Sequence, residues 1–303
     1  MVALPVVFHS AYVAPLPSDH RFPMEKFGRL FERLVAEGVV TVETAVEPMP
    51  APRGWLELVH TPDYVSGILE QRLGPGAARR IGFPLTAALA RRSQAAVGGT
   101  VQTGRLALEH GLACNTAGGS HHAFSTHGSG FCVFNDVAVA IRVLQAEGLI
   151  DTALVIDLDV HQGDGTAEIF ADDPSVHTFS MHCAVNFPLR KQRSDRDIAL
   201  PRGTGDDAYL ETLGSELGSL LPRTRPDIVF YNAGVDPHVD DRIGRLSLSD
   251  AGLAARERMV LESCCAAGVP VAGVVGGGYS EDLDALANRH AILHCTAAVL
   301  AAL

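Results

Sequence analysis

Ala153-Leu154-Val155-Ile156-Asp157-Leu158-Asp159-Val160-His161-Gln162-Gly163-Asp164-Gly165 is the stretch on which the reading of this chain turns. Four apolar residues run without a break into a segment that holds three carboxylates and a histidine. A continuous apolar run of this kind reads as a strand buried on both faces. Charges at the end of such a strand are costly to bury unless they are paired or bound to a metal. On an extended chain Asp159 and His161, two residues apart, point to the same side. A carboxylate and an imidazole supply two donors of a divalent site such as zinc, and Asp236, at the end of another apolar run, supplies a third.

Working outward, similar runs recur from Val176 to Met181, Ile228 to Val235 and Val269 to Val275, and they predict further buried parallel strands. Between them the apolar spacing turns helical, at Glu25 to Glu37, Ala87 to His110, Asn135 to Ala146, Ala208 to Leu221, Leu253 to Ala267 and Ala285 to Leu303. Alternation of this kind predicts an α/β fold, a central, mostly parallel sheet flanked by helices. No Pro/Ser/Gly-rich linker, repeat or low-complexity tract divides the 303 residues, so they read as a single domain, 1–303. An apolar content of 47% suits a large, well-buried core.

In open parallel sheets ligands bind beyond the carboxyl ends of the strands, and polar or glycine-rich clusters stand at those ends. They are Asp157 to Gly165, Ser180-Met181-His182, Asn232 to Asp236 and Gly276-Gly277-Gly278-Tyr279. A fifth, Gly118-Gly119-Ser120-His121-His122, reads as a loop after the long helix.

Composition narrows the classes. A formal charge of -11 lacks the basic footprint of a nucleic-acid binder; it is compatible with a cationic substrate or partner surface, and equally with nothing more than solubility. Six cysteines without a CxxC pair or secreted-scaffold spacing suggest reduced thiols and a cytoplasmic location. The first twenty residues lack the basic start of a signal peptide, and no apolar stretch is long enough to span a membrane.

Three donors and an open position make a catalytic metal site rather than a structural one. Adjacent histidines after a Gly-Gly turn can serve as a neutral base and a charged acid, because imidazole titrates near working pH. Asp157 and Asp164 are surplus carboxylates able to orient the two rings. Tyr279, after three glycines that allow close approach, could donate a hydrogen bond to an oxyanion opposite the metal. A phosphate-cradling reading of those glycines lacks the lysine and the GxGxxG spacing.

Taken in order, Gly-Gly-Ser-His121-His122-Ala, Gly130-Phe131-Cys132, Asn135-Asp136, Ile156 to Gly165, Asn232 to Asp236 and Gly277-Gly278-Tyr279 resemble the zinc-dependent histone deacetylase family over nearly the whole chain. His20-Arg21-Phe22-Pro23-Met24, Gln162 and the segment from Asp241 to Ser249 are most similar to its class IV branch and bacterial relatives. The resemblance implies the arginase-deacetylase fold, with one Zn2+ per chain on Asp159, His161 and Asp236. It makes His121 and His122 an acid-base pair, backed by Asp157 and Asp164 respectively, and has Tyr279 polarise the substrate carbonyl. It also implies a structural K+ near Asp157, Asp159, His161, Ser180 and Met181, mostly through backbone oxygens. The substrate tunnel would be built from Gly130, Phe131, Phe187, Ile243, Gly277 and Gly278.

The activity so implied is hydrolysis of the amide of an acyl-lysine in a protein or peptide. Ile243, where polyamine-specific relatives would carry a glutamate, favours acyl-lysine over a polycation, and the class IV likeness suggests tolerance of fatty acyl chains. Rival readings are an amidohydrolase acting on an acetylated small molecule or polyamine, a non-catalytic acyl-lysine binding module, and an arginase-like two-metal enzyme. The last needs Asp-x-His-x-Asp, whereas His161 is followed by Gln162 and Gly163, and no Asp stands two residues before Asp236.

Overall fold

Among the described residues seven strands form one sheet: β1 (Val6–Val7), β2 (Leu112–Asn115), β3 (Ala153–Asp157), β4 (Val176–Cys183), β5 (Arg196–Leu200), β6 (Ile228–Asn232) and β7 (Val271–Val274). In the computed structural model, which describes residues 4–302, their order is β1-β2-β7-β6-β3-β4-β5. Every pairing is parallel. Residues 1–3 and 303, including the end of the expected C-terminal helix at Leu303, lie outside the described residues. The central strands β3, β6 and β7 are buried at every position. That is why they carry apolar residues continuously instead of alternating them.

The helices are α1 (Lys26–Ala36), α2 (Arg53–Leu56), α3 (Pro62–Leu69), α4 (Pro75–Ile81), α5 (Ala87–His110), α6 (Asp136–Ala146), α7 (Asp164–Ile169), α8 (Asp206–Thr224), α9 (Asp250–Ala266) and α10 (Leu283–Ala301). Local chemistry explains where the long ones begin. Thr86, Asn135, Ser249 and Asp282 each accept a hydrogen bond from a first-turn backbone N–H of α5, α6, α9 and α10, which satisfies donors a helix start leaves free. Helix α5 lies against β2, β7 and α6, while α10 packs on α1, α9 and β2. No helix among the described residues is long and apolar enough to cross a membrane.

Two expectations are corrected. The run through Asp159 does not stay extended: β3 ends at Asp157 and the chain bends at 159–161, with Asp159 N donating to Asp157 Oδ1 at 3.2 Å. Asp159 and His161 therefore meet by a turn of the chain, not by strand alternation. The cluster at Gly118 is a loop after α5, but a strand that the spacing did not predict, β2, comes between them, because Gly111, at φ 82°, ends the helix and lets the chain turn into the sheet.

Candidate active site

The carboxyl ends of β2, β3, β4, β6 and β7 bring the five sequence clusters to one edge of the sheet. At its centre Asp159, His161 and Asp236 are buried, with one donor atom from each within 4.8 Å of the others. His161 Nδ1 lies 2.9 Å from Asp159 Oδ1 and 3.1 Å from Asp236 Oδ2. Tetrahedral ligands at roughly 2.0–2.1 Å from a zinc ion stand roughly 3.3 Å apart, so the triangle needs little adjustment to hold such an ion. Backbone donors aim the carboxylates: Gly277 N–H donates to Asp159 Oδ2 at 2.7 Å, and Val160 N–H to Asp236 Oδ1 at 2.8 Å. Asp236 Oδ2 is left buried without a hydrogen bond.

The electrostatics without a cation agree. Burial, and then the neighbouring Asp159 charge, push the Asp236 carboxyl up to about 7. Burial opposes a charge on His161, but its contacts with Asp159 and Asp236 outweigh that and raise it to about 10. Two carboxylates thus grip a proton where a divalent ion could replace it, and the donor set fits such an ion.

Beside this set stand two His–Asp dyads. His121 Nδ1 is 2.6 Å from Asp157 Oδ2, and His122 Nδ1 is 2.6 Å from Asp164 Oδ1; the ring centroids are 4.1 Å apart. Adjacent imidazoles in a buried site do not both stay charged. On His121 burial disfavours the charge but Asp157 and Asp159 win, raising it to about 9. On His122 burial and the His121 charge prevail over Asp164 and lower it to about 4. His122 is therefore neutral near pH 7, and with Nδ1 engaged by Asp164 its Nε2 is the free nitrogen.

Tyr279 closes the group, its ring centroid 6.4 Å from that of His161. Burial and the nearby Asp159 and Asp236 charges push its phenol well above the usual range, so it remains a donor. Its backbone N–H donates to Asp241 Oδ2 at 2.7 Å.

Several supports carried no role in the sequence reading. Asp136 accepts from Ser120 N at 2.7 Å, Gly119 N at 3.0 Å and Thr100 Oγ1 at 2.6 Å, fixing the turn before the histidines. Asn232 Nδ2 donates to Asp157 Oδ1 at 2.9 Å. Lys26 is buried and donates from Nζ to the carbonyls of Gly276 and Gly278 at 3.0 and 3.3 Å. A buried lysine lacks a periodic signature. Only its place in an otherwise apolar stripe of α1, with Phe27, Leu30 and Leu34, could have marked it.

A cavity of about 490 Å³ leads from solvent to His122, His161 and Tyr279. Gly130, Phe131, Phe187 and Ile243 are among the residues that line it. Phe131 has φ 65°, sparsely occupied by side-chain-bearing residues, and is held there by its N–H bond to Ile81 O at 2.7 Å. The Phe187 ring stands edge-on to His122 at 4.8 Å. Gly278 lines neither this cavity nor the small space beyond it, whereas Gly277 lines that inner space with His121, Phe131 and Tyr279. Gly277 approaches Asp159 and Asp236 so closely that a Cβ would not fit, and Gly278 packs toward Val235 and His290. Ser180 lies in register with Asp157, with its hydroxyl 2.9 Å from His182 Nδ1, and Met181 is buried in β4.

The histone deacetylase domain family matches residues 20–295. An uncharacterized protein of Picosynechococcus sp. is 56% identical over 97% of this chain and 98% of its own. Histone deacetylase 2 of Arabidopsis thaliana is 30% identical over 86% of this chain and 70% of its own. The crystal structure of an HDAC homolog from Aquifex aeolicus superposes with a TM-score of 0.82 at 26% identity, covering 98% of this chain and 84% of that one. The family match takes in residues 20–295, most of the chain, and by it this chain belongs to the histone deacetylase family.

Proposed function

We propose that the protein is a zinc-dependent lysine deacetylase, hydrolysing the amide of an acyl-lysine side chain in a protein or peptide. The observation that carries the reading is the split His pair. A neutral His122 and a charged His121 stand beside a three-donor metal set at the floor of a narrow, aromatic-walled cavity. Acid-base partners whose surroundings drive their pKa values apart mark the roles in hydrolysis.

Asp159, His161 and Asp236 would hold the ion. When bound, it polarises the acyl carbonyl and makes a water acidic enough to attack near neutral pH. Phe131 and Phe187 flank the lysine methylenes and exclude water from them. His122 Nε2 takes a proton from the attacking water and later returns it to the departing lysine amine, while Asp164 holds the ring through Nδ1. His121, kept charged by Asp157, opposes the negative charge that develops on the former carbonyl oxygen, and the Tyr279 phenol donates a hydrogen bond to that oxygen.

A short acyl group is the better fit. Behind the floor, lined by Phe27, Arg92, His121, Gly277 and Tyr279, the free space is about 30 Å³. That is small beside the 490 Å³ of the passage in front of it, which favours an acetyl over a fatty acyl group. The class IV likeness in His20 to Met24, Gln162 and Asp241 to Ser249 is part of the proposal. So is a K+ held by backbone oxygens near Asp157, Asp159, His161, Ser180 and Met181, whose Asp157 carboxylate is already engaged by His121 and Asn232. Six free cysteines support a cytoplasmic setting.

The test is turnover of lysine peptides carrying acetyl, octanoyl or myristoyl groups by zinc-loaded protein. Cleavage falling with chain length is expected. Rates rising toward myristoyl would replace the acetyl preference with a fatty one, and silence on all three would end the lysine reading.

A further inference from the structure

At its outer end the cavity is lined by Arg21, Arg79 and Arg80 and by no carboxylate, on a chain whose formal charge is -11. All three arginines are exposed. Among the described residues none of them lies within ion-pair distance of an acid, whereas Arg53, Arg72, Arg196 and Arg242 each do. Arg79 and Arg80 sit in the last turn of α4, where the helix dipole by itself favours cations. That does not explain Arg21, which comes from a separate segment and places its guanidinium 5.0 Å from the centre of the Phe131 ring. The arrangement is tied to the cavity wall: Gly130 N–H donates to Arg80 O at 3.2 Å and Phe131 N–H to Ile81 O at 2.7 Å. The other exposed lining, Phe187 and Ile243, is apolar.

We propose that this mouth selects acyl-lysines set in acidic peptide segments, with Asp or Glu beside the modified lysine, and disfavours polycationic amides. The inference rests on the amide-hydrolysis reading. A lysine side chain fills the passage, so the charges that reach the rim belong to the residues on either side of it. Unpaired guanidiniums bind carboxylates in a forked geometry that lysine cannot offer. A rim of one sign steers like-charged substrates away and opposite ones in.

The experiment compares three acetyl-lysine peptides, flanked by Glu, by Gln or by Lys, with acetylspermidine as a fourth substrate. It measures kcat/KM on zinc-loaded protein and, separately, equilibrium binding of the labelled peptides to metal-free protein. Each exposed charge contact is worth a few-fold at most, so three acting together give a Glu-over-Lys ratio of about tenfold. The ratio should shrink between low and high salt, as the screening length drops from roughly 20 Å to roughly 4 Å. Arg79→Glu should collapse it. Arg258→Glu, an exposed arginine on α9 that lines no part of this cavity, makes the same change in net charge and should not. Equal rates for Glu- and Lys-flanked peptides, or a ratio that Arg79→Glu leaves in place, would overturn the proposal. If even the Gln-flanked peptide is not cleaved, the hydrolysis reading fails, and the binding ratio still decides for or against the rim.

Discussion

Replacing Gly277 by alanine adds one methyl group at the most crowded point of the metal set. A Cβ there would stand 2.5 Å from Asp159 Oδ2 and closer still to Asp236 Oδ2. Ordinary contact begins near 3.4 Å, so Asp159 must retreat by about 0.9 Å and Asp236 by more, several times the roughly 0.2 Å that a zinc coordination shell tolerates. The same shift stretches the Gly277 N–H bond to Asp159. Lost outer support alone costs roughly 10- to 100-fold in metal affinity. With both carboxylates displaced, a loss of at least about 100-fold is expected. The cause is steric, because Gly277 is not among the glycines with left-handed φ. The assay is zinc titration of metal-free protein against a chromophoric chelator, with thermal unfolding as the check on folding. Gly218→Ala in α8, where a Cβ meets nothing within 4 Å, is the control and should bind zinc like the parent. A folded Gly277→Ala protein whose zinc affinity stays within a few-fold of the parent would refute the assignment of Asp159 and Asp236 as donors.

Tyr279→Phe should lower kcat by about 10²-fold or more at unchanged zinc content, the scale of one oxyanion donor; metal analysis beside steady-state kinetics checks both halves. Activity requires neutral His122 and charged His121, so it should rise with pH through about 4 and fall through about 9. A bound divalent ion, by cancelling the Asp159 charge, moves the upper limb below 9, and Asp157→Asn should lower it further; a pH profile of kcat/KM that ignores Asp157 would contradict this. Because His161 is raised to about 10 without a cation, zinc must displace about one proton near pH 7.5. Calorimetry in buffers of different ionisation enthalpy should detect that proton, and zero release would contradict the donor assignment. Asp136→Asn weakens charge-assisted bonds to Ser120 and Gly119 and should cost about 1.5–3 kcal/mol per bond fully lost, read as a shifted denaturation midpoint in metal-free protein.

Long buried elements were legible because burial on both faces demands apolar residues without interruption, as in Ala153 to Ile156, and because α5 carries its own start and stop at Thr86 and Gly111. Short ones were not. Strand β1 has two residues, too few for any period. Strand β5, Arg-Asp-Ile-Ala-Leu, lies at the sheet edge and is mostly unburied, so solvent, not packing, chose its side chains. The short helices α2, α3, α4 and α7 are too brief to display a 3.6-residue repeat.

For the site the division is chemical. The sequence by itself determined the candidate donors and proton carriers: Asp159, His161, Asp236, the two histidines with their aspartates, and Tyr279. Singly such residues serve as well as caps and turns; together at strand ends they are the set that the proposed chemistry needs. Tertiary structure alone decided their states and their neighbours. It made His122 the neutral member of the pair, set Gly277 against the carboxylates at the inner end of the passage, and slid Lys26 beneath the tyrosine loop. It also gathered Arg21 with Arg79 and Arg80 at one rim. The reason is that protonation and access depend on distance and burial among groups scattered along the chain, and those distances exist only once the parallel sheet has brought its carboxyl ends to a single edge.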